Sequence, residues 1–187
     1  MTPAARRRAE GLALLAAFAA CIPVANWLIG NVGTVCVPNG PCLIPVAPGL
    51  TAPSGVLMVG LALVLRDLVQ RRLGAGWALA AIAGGTLLSA AVAPPALVLA
   101  SAAAFFISEL ADFAVYTPLQ KRGLVLAVLL SSVAGLVVDS LLFLQLAFGD
   151  LSYAGGQIVG KLWMVLLSLP LIHWVRLRDE RLGLVEA

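Results

Sequence analysis

The chain has 187 residues, 61% of them hydrophobic and 11% charged, with a mean hydropathy of +1.04. Soluble domains carry about 25% charged residues, and one core of this size cannot hide so much apolar surface from water. The net charge of +3 does not point to nucleic acid, because the basic residues lie in short clusters between apolar runs. The composition predicts an all-α polytopic membrane protein.

A bilayer core of about 30 Å takes roughly 20 apolar residues as a helix. Six such runs are predicted, at 11–29, 52–69, 76–93, 96–117, 124–148 and 157–175, forming one transmembrane domain over 1–187. The first run follows Arg6, Arg7 and Arg8 as a signal peptide would. It is too long for one, however, and no small-residue cleavage site precedes Asn26 and Trp27.

Of the twelve basic residues, all but Lys161 fall on one side of this arrangement. Arg6, Arg7 and Arg8 precede the first run, and Arg66, Arg71 and Arg72 lie at the second link. Lys121 and Arg122 separate the fourth and fifth runs, and Arg176, Arg178 and Arg181 follow the last. The positive-inside rule then puts both termini in the cytoplasm and the uncharged link 30–50 outside. That link contains Cys36 and Cys42. A disulfide worth about 2 kcal/mol and a pair of free thiols packed on the bundle both fit its sequence. Cys21, within the first run, reads as an ordinary small apolar residue.

Ionisable side chains at membrane depth cost about 2.5–3.5 kcal/mol on insertion scales, so they must face a partner or a cavity. Glu109 and Asp112 in the fourth run are three residues apart and share a helix face. Ser131, Gly135 and Asp139 form a small and polar stripe on the fifth. Gln157, Lys161, Met164 and Ser168 repeat on one face of the sixth. A helical rise of about 1.5 Å per residue puts Asp139 and Lys161 at depths where they can meet. Such a pair is either a structural salt bridge or part of a pathway or site. Asn26 and Gln145 add uncharged polarity. Arg66 beside Asp67 reads as an interfacial ion pair, with gating as the functional alternative. His173 reads as solvated, and Trp77, Trp163 and Trp174 as belt or packing aromatics. Trp27 suits either the outer belt or stacking on a planar ligand.

Enzyme chemistry finds no support. The single histidine excludes an HExxH zinc protease, and there is neither a Gly-x-Ser-x-Gly elbow nor a P-loop. A scaffold has no need of four intramembrane charges. A small-molecule transporter without cofactor or metal fits best.

Several segments carry a family resemblance. They are Ala25-Asn26-Trp27-Leu28, then Leu65-Arg66-Asp67-Leu68-Val69 running on to Leu73-Gly74, and Ser108-Glu109-Leu110-Ala111-Asp112-Phe113-Ala114-Val115-Tyr116. Ser131-Ser132-Val133-Ala134-Gly135 with Asp139-Ser140, and Lys161 in the last run, complete the set. In order and spacing they resemble the VUT family of queuosine-precursor transporters. The resemblance implies a bacterial inner-membrane importer of 7-deazaguanines, such as the 7-cyano and 7-aminomethyl forms. It also implies six helices arranged as in the substrate-binding subunits of energy-coupling-factor vitamin transporters. By position, Asn26, Asp67, Glu109, Asp112, Asp139 and Lys161 match polar positions of the family. A deazaguanine offers an N–H and an amino group side by side, which one carboxylate can accept bidentately. The expected site is therefore Asp139 or Glu109 on that edge, with Lys161, Asn26 or Gln157 near the carbonyl and Trp27 as an aromatic neighbour. Asp112 can instead serve gating or proton coupling, and Arg66 and Asp67 gating. The related alternative is a vitamin or nucleobase carrier, including one that needs an ATPase partner. Facilitated, proton-coupled and ATP-coupled transport all remain compatible with the sequence.

Overall fold

The computed structural model describes residues 2–38 and 40–182. Among them are six long helices: α1 (Pro3–Asn31), α2 (Val56–Leu73), α3 (Ala75–Val92), α4 (Val98–Leu119), α5 (Leu124–Phe148) and α6 (Ala154–Arg181). Between α1 and α2 the chain forms three strands, β1 (Val35–Cys36), β2 (Cys42–Ala47) and β3 (Leu50–Pro53). The predicted run 124–148 coincides with α5, and four others match their helices with shifted ends. The run 52–69 is displaced. Ala52 and Pro53 stand opposite Ile44 and Leu43 in an antiparallel ladder, so the helix begins only at Val56.

All the long helices but α2 are long and apolar enough to cross a membrane. Helix α2 carries Arg66, Asp67, Arg71 and Arg72, and it is the helix that touches all five others. Surrounded in this way it meets little lipid, and its charges must be matched by neighbouring helices. Arg66 and Asp67 are fully buried, which corrects the reading of them as an interfacial pair. Leucines take the outer positions instead: Leu87, Leu99 and Leu167 are each about two-thirds or more exposed, at 73%, 77% and 68%. A bundle with charges turned in and leucines turned out is a multi-pass membrane protein, because only a lipid solvent favours that distribution.

The central core joins Leu63, Val64 and Leu68 of α2 to Val128 and Leu136 of α5 and to Val165 and Ile172 of α6. At one end of the bundle lies the antiparallel sheet β1-β2-β3. Cys36 and Cys42 stand opposite one another in its ladder and are joined by a disulfide. Two side chains fasten this end: Ser54 Oγ donates to the Leu28 carbonyl at 2.7 Å, and Trp163 Nε1 donates to the Val46 carbonyl at 2.9 Å.

The opposite end is an arginine-rich clasp. Asp179 of α6 is fully buried and accepts from Arg71 at 2.9 Å and from Arg72 at 2.8 Å. Glu10 of α1 pairs with Arg72 at 3.1 Å and with Arg178 at 2.5 Å. Arg7 donates to the carbonyls of Arg71 and Arg72, where the last turn of α2 leaves acceptors without intrahelical partners. Helices α1, α2 and α6 are thereby held together by charge at one end and by the sheet at the other.

Candidate functional site

A cavity of about 120 Å³ opens between the helices on the sheet side of the bundle. An engineered cavity of about 150 Å³ accepts benzene, so the space suits a small ring. All six helices contribute to its wall, which is mostly apolar. Five polar side chains anticipated from the sequence converge on it: Asn26, Glu109, Asp139, Gln157 and Lys161.

Lys161 is the organising cation. It is 1% exposed, and its ammonium donates to Asp139 Oδ2 at 2.6 Å, Ser140 Oγ at 2.8 Å and Gln157 Oε1 at 2.8 Å. An ammonium has three protons, so all its donors are used. The anticipated meeting of Asp139 and Lys161 therefore takes place. Gln157 gives its carbonyl oxygen to Lys161 and keeps its amide N–H groups for another acceptor. Ser108 Oγ reaches the other Asp139 oxygen at 3.4 Å. Asn26 donates to the Ile22 carbonyl one turn back, which leaves its side-chain oxygen as an acceptor. The lysine can sit so close to α2 because residue 60 is glycine: a Cβ there would run into the Lys161 carbonyl.

Two expectations change. Trp27 is 58% exposed and does not line the cavity. It follows Asn26 directly, and adjacent helical residues point about 100° apart. The aromatic walls are instead Phe105 and Phe143. They lie one turn before Glu109 and one turn after Asp139, so helical spacing from the two acids was the signal for them. Asp112 likewise does not line the cavity, although it is fully buried.

Asp112 belongs to a second cluster, centred on Arg66 and sharing Glu109 with the first. The Arg66 guanidinium bonds Asp112, lies 2.8 Å from Asp67 Oδ1, and donates to Glu109 Oε2 at 3.3 Å and to Gln70 Oε1 at 2.9 Å. The rings of Phe113 and Tyr116 flank it at 5.8 and 5.7 Å. Asp67 Oδ2 accepts from Ser131 at 2.8 Å. Gly135 allows α5 to press against this cluster, since a Cβ there would meet that of Asp112 at 3.0 Å. The stripe Ser131, Gly135 and Asp139 therefore faces the interior throughout. Asp112 Oδ2 is buried without a hydrogen-bond donor, and Asp67 Oδ1 has only its ion contact with Arg66. Together the two clusters contain two cations and four carboxyl groups.

A lipid-soluble bundle that lines one internal cavity with opposed acids, a lysine and amides has the build of a multi-pass membrane carrier. Residues 86–175, just under half of the chain, match the family model described as "Putative vitamin uptake transporter", and this match supports a VUT family transporter. The matched stretch contains Glu109, Asp112, Asp139, Gln157 and Lys161 and stops short of Asn26, Arg66 and Asp67. Comparison with curated proteins and with solved structures gives no match.

Proposed function

We propose that this protein is an importer of 7-deazaguanine precursors of queuosine, working in a bacterial inner membrane as a six-span bundle with both termini in the cytoplasm. The observation that carries the reading is the cavity's opposed chemistry. Glu109 of α4, Asp139 of α5, Gln157 of α6 and Asn26 of α1 all line it, so carboxylates and amides stand side by side. The donor edge of a deazaguanine matches a carboxylate, and its carbonyl matches the unused N–H of Gln157. Lys161 then acts by holding Asp139 and Gln157 in place rather than by direct contact. Phe105 and Phe143 supply faces for a flat ring. In this reading α2 is the sixth span, shielded by the other five helices, and the disulfide-closed sheet caps the outer mouth.

A second reading has one observation in its favour: the matched family is described by vitamin uptake. Uptake of labelled 7-cyano-7-deazaguanine by vesicles containing only this protein separates the two. Accumulation above protein-free vesicles is expected. No uptake, together with thermal stabilisation by a vitamin and none by deazaguanines, would establish the second reading instead. Orientation is tested separately, by Gln120→Cys, which should react with impermeant thiol reagents only from the cytoplasmic side.

A further inference from the structure

We propose that Asp67 and Asp112 share a transferable proton beside Arg66, and that its release and rebinding couple transport to a proton gradient. The inference rests on the transporter reading above and adds an energy source to it.

The charge count comes first. Arg66 is the cation of a cluster whose acids are Asp67, Glu109 and Asp112, all with side chains no more than 3% exposed. Asp139 is already matched by Lys161. Three ionised carboxyls against one guanidinium make a net charge of −2, and a dry interior favours the state in which a bound proton halves it. A metal ion is the other way to balance the charge. Among the described residues, however, no three His, Cys, Asp or Glu side chains are grouped to hold one, and the guanidinium fills the centre.

The geometry then locates the proton. The carboxyl groups of Asp67 and Asp112 converge on one nitrogen of Arg66, Nη2, which lies 2.8 Å from Asp67 Oδ1 and bonds Asp112 Oδ1. Asp112 Oδ2 is buried with no donor, and Asp67 Oδ1 has no hydrogen bond beyond that ion contact. Two ionised carboxylates are acceptors only and cannot bond one another. One proton shared by the pair removes one of the two negative charges crowded at that nitrogen.

Polar side chains flank this pair toward both ends of the bundle. On the cavity side Gln157, Lys161, Asp139 and Ser108 follow one another at 2.8, 2.6 and 3.4 Å. Glu109, which also borders the cavity, reaches Arg66 at 3.3 Å. Beyond Arg66, Gln70 follows at 2.9 Å and Thr117 at 3.0 Å, and Gln120 donates to the Thr117 carbonyl at 3.2 Å. Gln120 closes α4 at the arginine end. The other groups facing the pair are Tyr116 of α4 and Ser131 of α5; Cys21 of α1 faces Glu109, and α3 has no titratable residue. Glu109 is the coupling element because it borders the cavity and holds Arg66. A substrate that takes a Glu109 oxygen loosens its hold on Arg66. The guanidinium charge then acts on the two aspartates alone, which favours their ionised forms, and their proton leaves toward the cytoplasmic water.

The test has a substrate-free arm and a transport arm. Infrared difference spectra of the wild-type protein at neutral pH should show a protonated-carboxyl C=O band that shifts with isotope-labelled aspartate. The band should disappear in Asp67→Asn and in Asp112→Asn. If either variant fails to fold, the isotope shift on wild type still decides. Absence of the band, or a shift only with labelled glutamate, overturns the shared proton. In vesicles with a one-unit acid-outside gradient, one proton per neutral substrate drives at most about ten-fold accumulation of 7-cyano-7-deazaguanine. The lumen should acidify as it enters, and Asp112→Asn should fall toward the ratio seen without a gradient. Equal accumulation with and without the gradient overturns the coupling. If no deazaguanine enters at all, the substrate reading fails, and the infrared arm alone decides the proton site.

Discussion

The sharpest perturbation of the cavity is Asp139→Asn, because it preserves shape while removing a negative acceptor. In the wild type, Asp139 Oδ2 accepts from Lys161 at 2.6 Å, and the ammonium also bonds Ser140 and Gln157. The variant leaves two of those bonds in place, so Lys161 stays anchored and the fold should survive. A hydrogen bond to a charged group is worth about 1.5–3 kcal/mol, and each 1.4 kcal/mol is a factor of ten. Deazaguanine affinity should thus weaken roughly ten- to a hundred-fold. Lys161→Met should weaken it as well, by releasing Gln157 and leaving Asp139 to take a proton. Because the two residues touch, the double variant should lose less than the sum of the singles. Isothermal titration in detergent, with melting curves on the same samples, reads both quantities. Affinities within two-fold of wild type in both single variants would refute the site. A lowered melting temperature with unchanged affinity would reduce the pair to a structural salt bridge.

Other predictions follow from the same contacts. Gly60→Ala should push α6 from α2, costing about 1–3 kcal/mol as overpacking does and lowering the melting temperature, whereas Gly84→Ala, with nothing within 4 Å, should melt as wild type. Asp179→Ala strands Arg71 and Arg72, and removing one partner of a buried pair costs about 3–5 kcal/mol. Arg72 keeps Glu10 as a partner at 3.1 Å, which puts the expectation at the low end, and an unchanged melting curve would disprove the clasp. Phe143→Ala should weaken ligand binding, while Trp27→Ala should leave it within two-fold, since Trp27 points outward. The reverse order in a titration would restore Trp27 to the site.

Much of this protein was legible in its sequence because lipid imposes simple rules. Apolar runs long enough to span must be helices, so α5 was placed without error, whereas α1 begins at Pro3 and α6 ends at Arg181, well outside the runs 11–29 and 157–175. Charges at membrane depth must face inward, so the periodic polar faces of α4, α5 and α6 already singled out Glu109, Asp139, Gln157 and Lys161, and depth paired Asp139 with Lys161. What the tertiary structure alone decided concerns partners that local pattern does not encode. Arg66 and Asp67 sit near the end of an apolar run and look interfacial. They are interior because α2 is enclosed by the five other helices, which depends on how all six pack. The same holds for Asp179, which meets Arg71 and Arg72 from more than 100 residues away. It holds too for the segment before α2, where pairing with β2 rather than helix formation satisfies the backbone of Ala52 and Pro53. Trp27 and Asn26 are adjacent in sequence, and only the rotation of α1 within the bundle turned the amide inward and the indole out. Helical period fixes which residues share a face, but the direction of that face is set by the packing of the neighbours.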